Sequence, residues 1–267
     1  MSLSADEPRV APASDYDTFV NWNARLAREL PFFQRLFAEA GVKSLIDVGA
    51  GSARHAIAFA EQGLVVDAVD PDDSMLVQAE ANVADAAGRI AEAGGTLRLV
   101  RGGFGELASL GLGLADALTC TGNALPHVAG LAGLREALAD FRAVLRPQGV
   151  MVLHLLNHAR LLDGKQRAIL PIVREVPEGT RVFLRLIDYP EGAEFLDFDF
   201  VTLTRDAGGV WDVASRRSPH TALPLQALSA ELSEAGFEHI EAFGAHDGRA
   251  FAADKDESVI VVARRGA

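Results

Sequence analysis

Three regimes of apolar spacing divide the chain. Between Tyr16 and Ala40, Phe19, Leu26, Leu30, Phe33 and Leu36 recur at helical intervals, which predicts an amphipathic helix. Pro31 sits inside that run and predicts two helices or a kink there; Gly41 then supplies a C-terminal stop. From residue 44 short apolar runs alternate with Ala-rich stretches. Strands are expected at 44–48, 65–69, 97–101, 115–120 and 149–155, with helices at 53–62, 73–92, 131–145 and, more weakly, 106–110. Strand and helix in alternation predict a parallel sheet covered on both faces.

After Asn157 the alternation stops. The segments 169–176, 181–189, 194–204 and 209–216 read as consecutive strands separated by turn residues such as Pro177-Glu178-Gly179 and Ala207-Gly208-Gly209. A helix at 225–235 and strands at 237–243 and 258–264 complete the pattern. The expected division is a main domain of residues 15–157 plus 225–264, and an antiparallel insertion over 158–224 packed above the active site. Most of the insertion's aromatic residues, Tyr189, Phe195, Phe198, Phe200 and Trp211, are expected in the core of its small sheet.

Composition narrows the class. The net charge is −12, from 37 acidic and 25 basic side chains, which disfavours a phosphate backbone as partner. No apolar run reaches the ~20 residues of a membrane span, and the polar, Pro-containing opening, Met1 to Ser14, has no signal-peptide pattern and is the one stretch where disorder is expected. The single Cys120 excludes an internal disulfide and fits a reducing cytoplasm. Seven His residues show no metal-ligand spacing, so no metal is expected. The expectation is a cytoplasmic protein without nucleic-acid or membrane partners; the sequence leaves homo-oligomer formation undecided.

The chemistry concentrates in Leu45-Ile46-Asp47-Val48-Gly49-Ala50-Gly51-Ser52-Ala53. A buried strand runs into a Gly-x-Gly turn that opens a helix, so backbone can approach a ligand closely. Asp70 stands 21 residues after Gly49 at the end of the next strand, where a carboxylate can accept both ribose hydroxyls. Asp47, two residues before the turn, favours a ligand with a positive centre over a pyrophosphate. An NAD-dependent oxidoreductase would need a hydride-transfer pair such as Tyr-x-x-x-Lys. Neither Tyr16 nor Tyr189 has a Lys four residues on.

Asp47-Val48-Gly49-Ala50-Gly51 followed by Asp70 resembles the opening motifs of class I S-adenosylmethionine-dependent methyltransferases. The resemblance extends to Leu99–Phe104, Asp116–Thr121 and Leu145-Arg146-Pro147-Gln148-Gly149. It implies S-adenosyl-L-methionine as cofactor and a Rossmann-like, doubly wound seven-stranded sheet of order 3-2-1-4-5-7-6 with the last strand reversed. Gly103 and Phe104 fall in the adenine-contacting region, though Gly103 replaces a common acid. Ala53 replaces a common third Gly, tolerable if its φ is negative.

Cys120-Thr121-Gly122-Asn123-Ala124-Leu125-Pro126-His127 is similar to a segment of glycine and sarcosine N-methyltransferases. By that resemblance Arg25 falls on the residue that pairs with the cofactor's methionine carboxylate, a task suited to a bidentate fork. Thr121 and Asn123 then belong to the same site. The alternative for Arg25 is a solvated helix face shared with Arg28 and Glu29. Tyr16, His127 and His220 are the candidates for catalysis, each with a structural alternative. The family's substrate-carboxylate Arg is replaced by Leu156, a loss of roughly 1.5–3 kcal/mol. Glycine is therefore disfavoured, and a larger or less anionic acceptor expected. Arg160 and Arg185 are the candidate substitutes, with an exposed strand Arg the simpler reading of either. The function implied is methyl transfer to a small-molecule amine or hydroxyl, the alternative being a non-catalytic adenosylmethionine-binding protein.

Overall fold

The computed structural model describes residues 14–192 and 194–267; the polar opening over 1–13 lies outside the described residues. In order these form α1 (Ser14–Phe19), α2 (Trp22–Ala40), β1 (Ser44–Val48), α3 (Arg54–Ala60), β2 (Val65–Asp70), α4 (Asp73–Glu92), β3 (Thr96–Arg101), β4 (Ala115–Cys120), α5 (Gly130–Val144) and β5 (Leu145–Leu156). Then follow α6 (His158–Gly164), β6 (Ala168–Val176), β7 (Gly179–Asp188), β8 (Phe195–Asp206), β9 (Trp211–Thr221), α7 (Leu225–Glu234), β10 (Phe237–Phe243) and β11 (Ser258–Arg265).

Seven strands make one sheet of order β10-β11-β5-β4-β1-β2-β3, parallel except for β11, which pairs antiparallel with both β5 and β10. This is the expected doubly wound order. Both faces are apolar because both are covered. Leu45 joins Phe33, Phe37, Phe59 and Ala79 beneath α2, α3 and α4. Its neighbour Ile46 points the other way, into Leu134, Leu138, Phe141 and Leu228 beneath α5 and α7. Each such side chain contributes about 1.5–3 kcal/mol on burial.

The other four strands form a separate antiparallel meander, β6-β7-β8-β9. Its inner face buries Phe183, Ile187, Leu196 and Phe198, while its outer face carries Arg217 against Asp199 and Asp188. Two of the aromatic residues expected inside are outside: Phe195 and Trp211 are 41% and 48% exposed. Trp211 instead underlies the Arg205 guanidinium at 5.4 Å.

The N-terminal helix breaks at Val20-Asn21, not at Pro31. Asn21 caps α2 by accepting the Ala24 N–H at 3.1 Å, so a new helix starts there. Pro31 stays inside α2 because Ala27, whose carbonyl loses its partner, lies on the solvent face with it. Helix α6 was not legible as a helix in the sequence. Strand β5 begins at Leu145, and the expected turn over 145–149 is a bulged entry with Gln148 at φ +64. No helix among the described residues is long and apolar enough to cross a membrane.

Candidate active site

The carboxyl ends of β1, β2, β4 and β5 point to one edge of the main sheet, and the order reverses between β1 and β4. A crevice at that reversal is where open α/β sheets bind ligands. Gly49 follows β1 there with φ +69, and its N–H and that of Ala50 both donate to Val69 O at 2.9 and 3.0 Å. A Cβ on Gly49 would stand 2.6 Å from Ala124 Cβ, so the turn and the loop after β4 are in contact only because Gly49 is bare. Gly51 has φ +56. Ala53 has φ +61, which corrects the expectation of a negative angle; a buried Ala occupies the left-handed conformation there.

Two carboxylates flank the turn. Asp70 accepts the Gly51 N–H through Oδ2 at 2.7 Å and the Asp72 N–H through Oδ1 at 2.9 Å. Asp47 is 2% exposed and accepts from Thr119 Oγ1 at 2.7 Å. Burial raises the pKa of both.

Arg25 is not a solvated helix residue. Its Nε donates to Glu29 Oε1 at 2.9 Å, and its guanidinium lies 5.1 Å over the Trp22 ring with the Tyr16 hydroxyl nearby. A Cβ on Gly122 would sit 3.3 Å from Tyr16 Oη and 3.7 Å from Arg25 Nη2. The structure thus brings Tyr16, Arg25, the glycine turn and the loop after β4 together. Burial raises the Tyr16 pKa.

Behind Arg25 lies a network the sequence did not announce. Glu29, 1% exposed, takes Arg25 on one oxygen and His55 Nε2 on the other at 2.8 Å. Burial would raise its pKa, but the His55 hydrogen bond and the Arg25 charge outweigh that and hold it well below the ordinary carboxylate range. Thr121 Oγ1 reaches His55 Nδ1 at 3.4 Å, so the Thr121 side chain belongs to this network. His154 and His246 complete it, each with one buried nitrogen lacking a partner. With Glu29 they offer donor atoms within 4.8 Å of one another, the one metal-capable grouping among the described residues. It arises from positions too far apart for any spacing motif.

Asp17 is a second residue that sequence reasoning missed. Its carboxylate accepts from Trp22 Nε1, Ser52 Oγ, Arg54 Nε and Nη2 and Asn82 Nδ2 at 2.5–3.2 Å, clamping α1 to the glycine turn. Gly103 and Phe104 lie where expected, after β3. The Gly103 N–H donates to Glu106 Oε2 at 2.7 Å, and Phe104 packs on Phe141.

On the other side of the crevice, Asn123 (φ +68) accepts the Leu156 N–H through Oδ1 at 2.9 Å. That bond orients the amide, so Nδ2 donates to His220 Nδ1 at 3.3 Å. The neutral His220 ring therefore carries its proton on Nε2, which is buried without a partner. Burial, then the nearby His127, pushes the His220 pKa down to about 3. His127 lies 4.4 Å from His220, ring to ring, with Ser218 Oγ at 3.2 Å from its Nδ1. Desolvation, then the Arg216 charge, lowers its pKa. Asn157 does structural work: it caps α6 and donates to the carbonyls of Ala253 and Asp256.

Residues 45–149 match the family model described as a methyltransferase domain. The chain is 33% identical over 150 residues to a glycine/sarcosine N-methyltransferase from Parasynechococcus marenigrum, covering 56% of this chain and 50% of that protein. It is 30% identical over 148 residues to the enzyme of that name from Aphanothece halophytica, covering 55% and 53%. The chain spans about half the length of the curated relatives it matches. Among solved structures, an S-adenosylmethionine-bound amino pentose methyltransferase from Micromonospora echinaspora superposes with TM-score 0.71 at 22% identity, covering 95% of each chain. A sugar N-methyltransferase from Streptoalloteichus gives 0.72 at 20%, covering 100% of this chain and 97% of that one. The structural likeness establishes the class I methyltransferase fold. The resemblance read from the motifs is borne out.

Proposed function

We propose that the chain is an S-adenosyl-L-methionine-dependent methyltransferase acting on the amine of a small-molecule acceptor. The observation that carries this is the assembly of Asp47, the positive-φ glycine turn and Asp70 beside the Tyr16–Arg25 pair. A nucleotide with an amino-acid tail is matched by those groups: a carboxylate for ribose hydroxyls, bare backbone for close approach, a carboxylate for an ammonium, and a guanidinium for a carboxylate. Arg25 would hold the methionine carboxylate, Asp47 the ammonium and Asp70 the ribose. The loop at Gly103 and Phe104 would line the adenine, and Thr121 and Asn123 would close the site from β4. The bound cofactor supplies an electrophilic methyl group with a good leaving group.

The protein's contribution is placement, which for a well-oriented pair supplies about 7–11 kcal/mol. Phe19 of α1 and Phe183 of the insertion meet at 5.6 Å, and Tyr16 lies beside Gly51 and Gly122; in the proposed reading these rings would keep water from the reacting atoms. A neutral amine needs no strong base. Neither His127 nor His220 has a pKa raised toward neutrality, and His220 presents a donor where a base would need a lone pair. An amine acceptor suits this site better than a hydroxyl.

Calorimetric titration with S-adenosylhomocysteine tests the reading. Binding is expected, with Asp70→Ala weakening it tenfold or more, about 1.4 kcal/mol. No binding to the unaltered protein, or equal binding by Asp70→Ala, would overturn the assignment. Turnover against an amine library then separates an enzyme from a mere binder.

A further inference from the structure

The inner face of the insertion sheet carries hydrogen-bond donors that cofactor binding leaves unused. In register, Arg185 on β7 stands opposite Phe200 on β8, which stands opposite Arg216 on β9. Along the same face the next row is Ile187, Phe198 and Ser218, and beyond it Leu196 faces His220. Ile187, Phe198, Leu196, Ser218 and His220 are all buried, so this face turns toward the main domain.

Arg185 is half-buried with its guanidinium 5.2 Å over the Phe19 ring. Among the described residues no carboxylate lies within ion-pair distance of it. Desolvation lowers its pKa, and the more distant Glu257 only partly opposes this. An unpaired, partly desolvated guanidinium is destabilising unless a ligand's charge completes it. Phe19, on which it rests, is 6.4 Å from Tyr16, which itself touches the glycine turn. Arg216 approaches from the other end of the row, and its charge acts on Asp72, His127 and His220. Arg185 is thus not an ordinary exposed strand residue balanced by an acid, whereas Arg216 is exposed and has Asp72 as the acid its charge acts on. Arg160, by contrast, is engaged with the Lys255 carbonyl at 3.2 Å.

His220 adds a third donor. Asn123 occupies its Nδ1, so the ring presents Nε2–H, buried in a residue that is 1% exposed. Arg185 and Arg216 thus flank Phe200 in register, and the His220 ring lies 6.2 Å from that of Phe200, so this row carries three donor groups.

We infer that the methyl acceptor carries an anionic group, a carboxylate or a phosphoester, seated between Arg185 and Arg216 over Phe200 with His220 Nε2–H as a further donor. This rests on the methyltransferase reading above. It also answers the loss of a basic residue at Leu156: the positive charge has moved from the end of β5 to the facing sheet. Amine and anion are then held by different layers, which suits an acceptor longer than glycine. In a chain of net charge −12, this local positive face steers such an anion to the crevice.

The test uses the full chain saturated with S-adenosylhomocysteine and two probe pairs, titrated calorimetrically at low salt. One pair is 4-(aminomethyl)benzoate and its methyl ester; the other is O-phosphoethanolamine and ethanolamine. The member of at least one pair that bears the anionic group is expected to bind about tenfold more tightly than its partner without it. Which pair responds distinguishes carboxylate from phosphoester. Arg185→Gln and Arg216→Gln should each reduce that preference about fivefold or more while homocysteine-nucleoside affinity stays within about twofold. Arg185→Lys keeps the charge and the packing on Phe19 and should retain part of the preference, which guards against a folding artefact. Absence of preference in both pairs, or a preference unchanged in both Gln variants, overturns the inference. Failure of S-adenosylhomocysteine itself to bind shows up in the preceding titration and overturns the methyltransferase reading, and this inference with it.

Discussion

Asn123 and Leu156 are joined by a 2.9 Å hydrogen bond from the Leu156 backbone N–H to the Asn123 side-chain oxygen, which links the loop after β4 to the end of β5. Because that oxygen is committed, the amide nitrogen faces His220 and sets its tautomer. Asn123→Gly keeps the φ of +68 accessible but removes both bonds. A loss of about 1–3 kcal/mol in urea unfolding is expected. Asn123→Ala should lose about 1 kcal/mol more, because it adds backbone strain to the same deletion. Equal stability of the Gly variant and the parent would show the bond to be idle.

Asp17, on α1, gathers five donor atoms from α2, the glycine turn, α3 and α4 onto one carboxylate. Asp17→Ala leaves Arg54 unpaired and Ser52 and Asn82 short of an acceptor. The expected loss is about 3 kcal/mol, read from thermal or urea melts. Amide exchange in α1 should accelerate selectively. A change confined to global stability, with α1 exchange unaltered relative to the rest, would contradict the clamp.

Glu29→Gln preserves shape and removes charge. Arg25 then loses its buried counter-charge, and His55 loses the strong half of its hydrogen bond. About 3–5 kcal/mol of stability should go, as for other broken buried pairs. S-adenosylhomocysteine affinity should fall with it, since Arg25 loses its orientation. Unchanged affinity in a folded Glu29→Gln protein would separate this network from the cofactor site.

Acid should unfold the protein earlier than carboxylates alone would allow. Burial pushes His154 and His220 down to about 3 and His158 and His246 down to about 4. Between the ordinary value near 6.5 and these, the unfolded chain binds protons that the folded chain refuses. Stability conferred by the neutral rings is therefore complete above pH ~6.5 and declines as pH falls toward 4. Four such groups set a ceiling of about 5 kcal/mol per pH unit over that window. Glu29, depressed well below the ordinary range, adds its own loss only at lower pH. Denaturation free energies measured between pH 7.5 and 4.5 check the slope, and a flat profile down to pH 5 would refute it.

Local patterns told most of the architecture. Helix α4 occupies 73–92 as expected, because Asp72 caps it and apolar positions repeat evenly to its end. Strands β4 and β10 also match to the residue. The break before α2 has a local signal, Asn21 as an N-cap ahead of the helical run, but Pro31 is the stronger breaker by residue type alone. The network around Glu29 had no local signal: residues 29, 55, 154 and 246 meet only after the sheet has formed. Asp17 was invisible for the same reason, its partners lying as far away as residue 82. Arg185 and Arg216 became a pair only through the register of three strands, which alternation alone does not specify.

The backbone N–H of Leu223 donates to His158 Nδ1 at 2.9 Å, tying the second residue after β9 to the second residue after β5. The meander therefore leaves and re-enters the nucleotide-binding scaffold through a single stitched doorway. On the proposed reading, replacing the stretch of chain between those two residues would alter the wall that greets the acceptor and leave the glycine turn, Asp70 and Arg25 in their own covalent surroundings. New acceptor preferences would then be grafted onto the same methyl-donor cradle, provided the imidazole at the doorway and the insertion's contacts with Phe19 are kept.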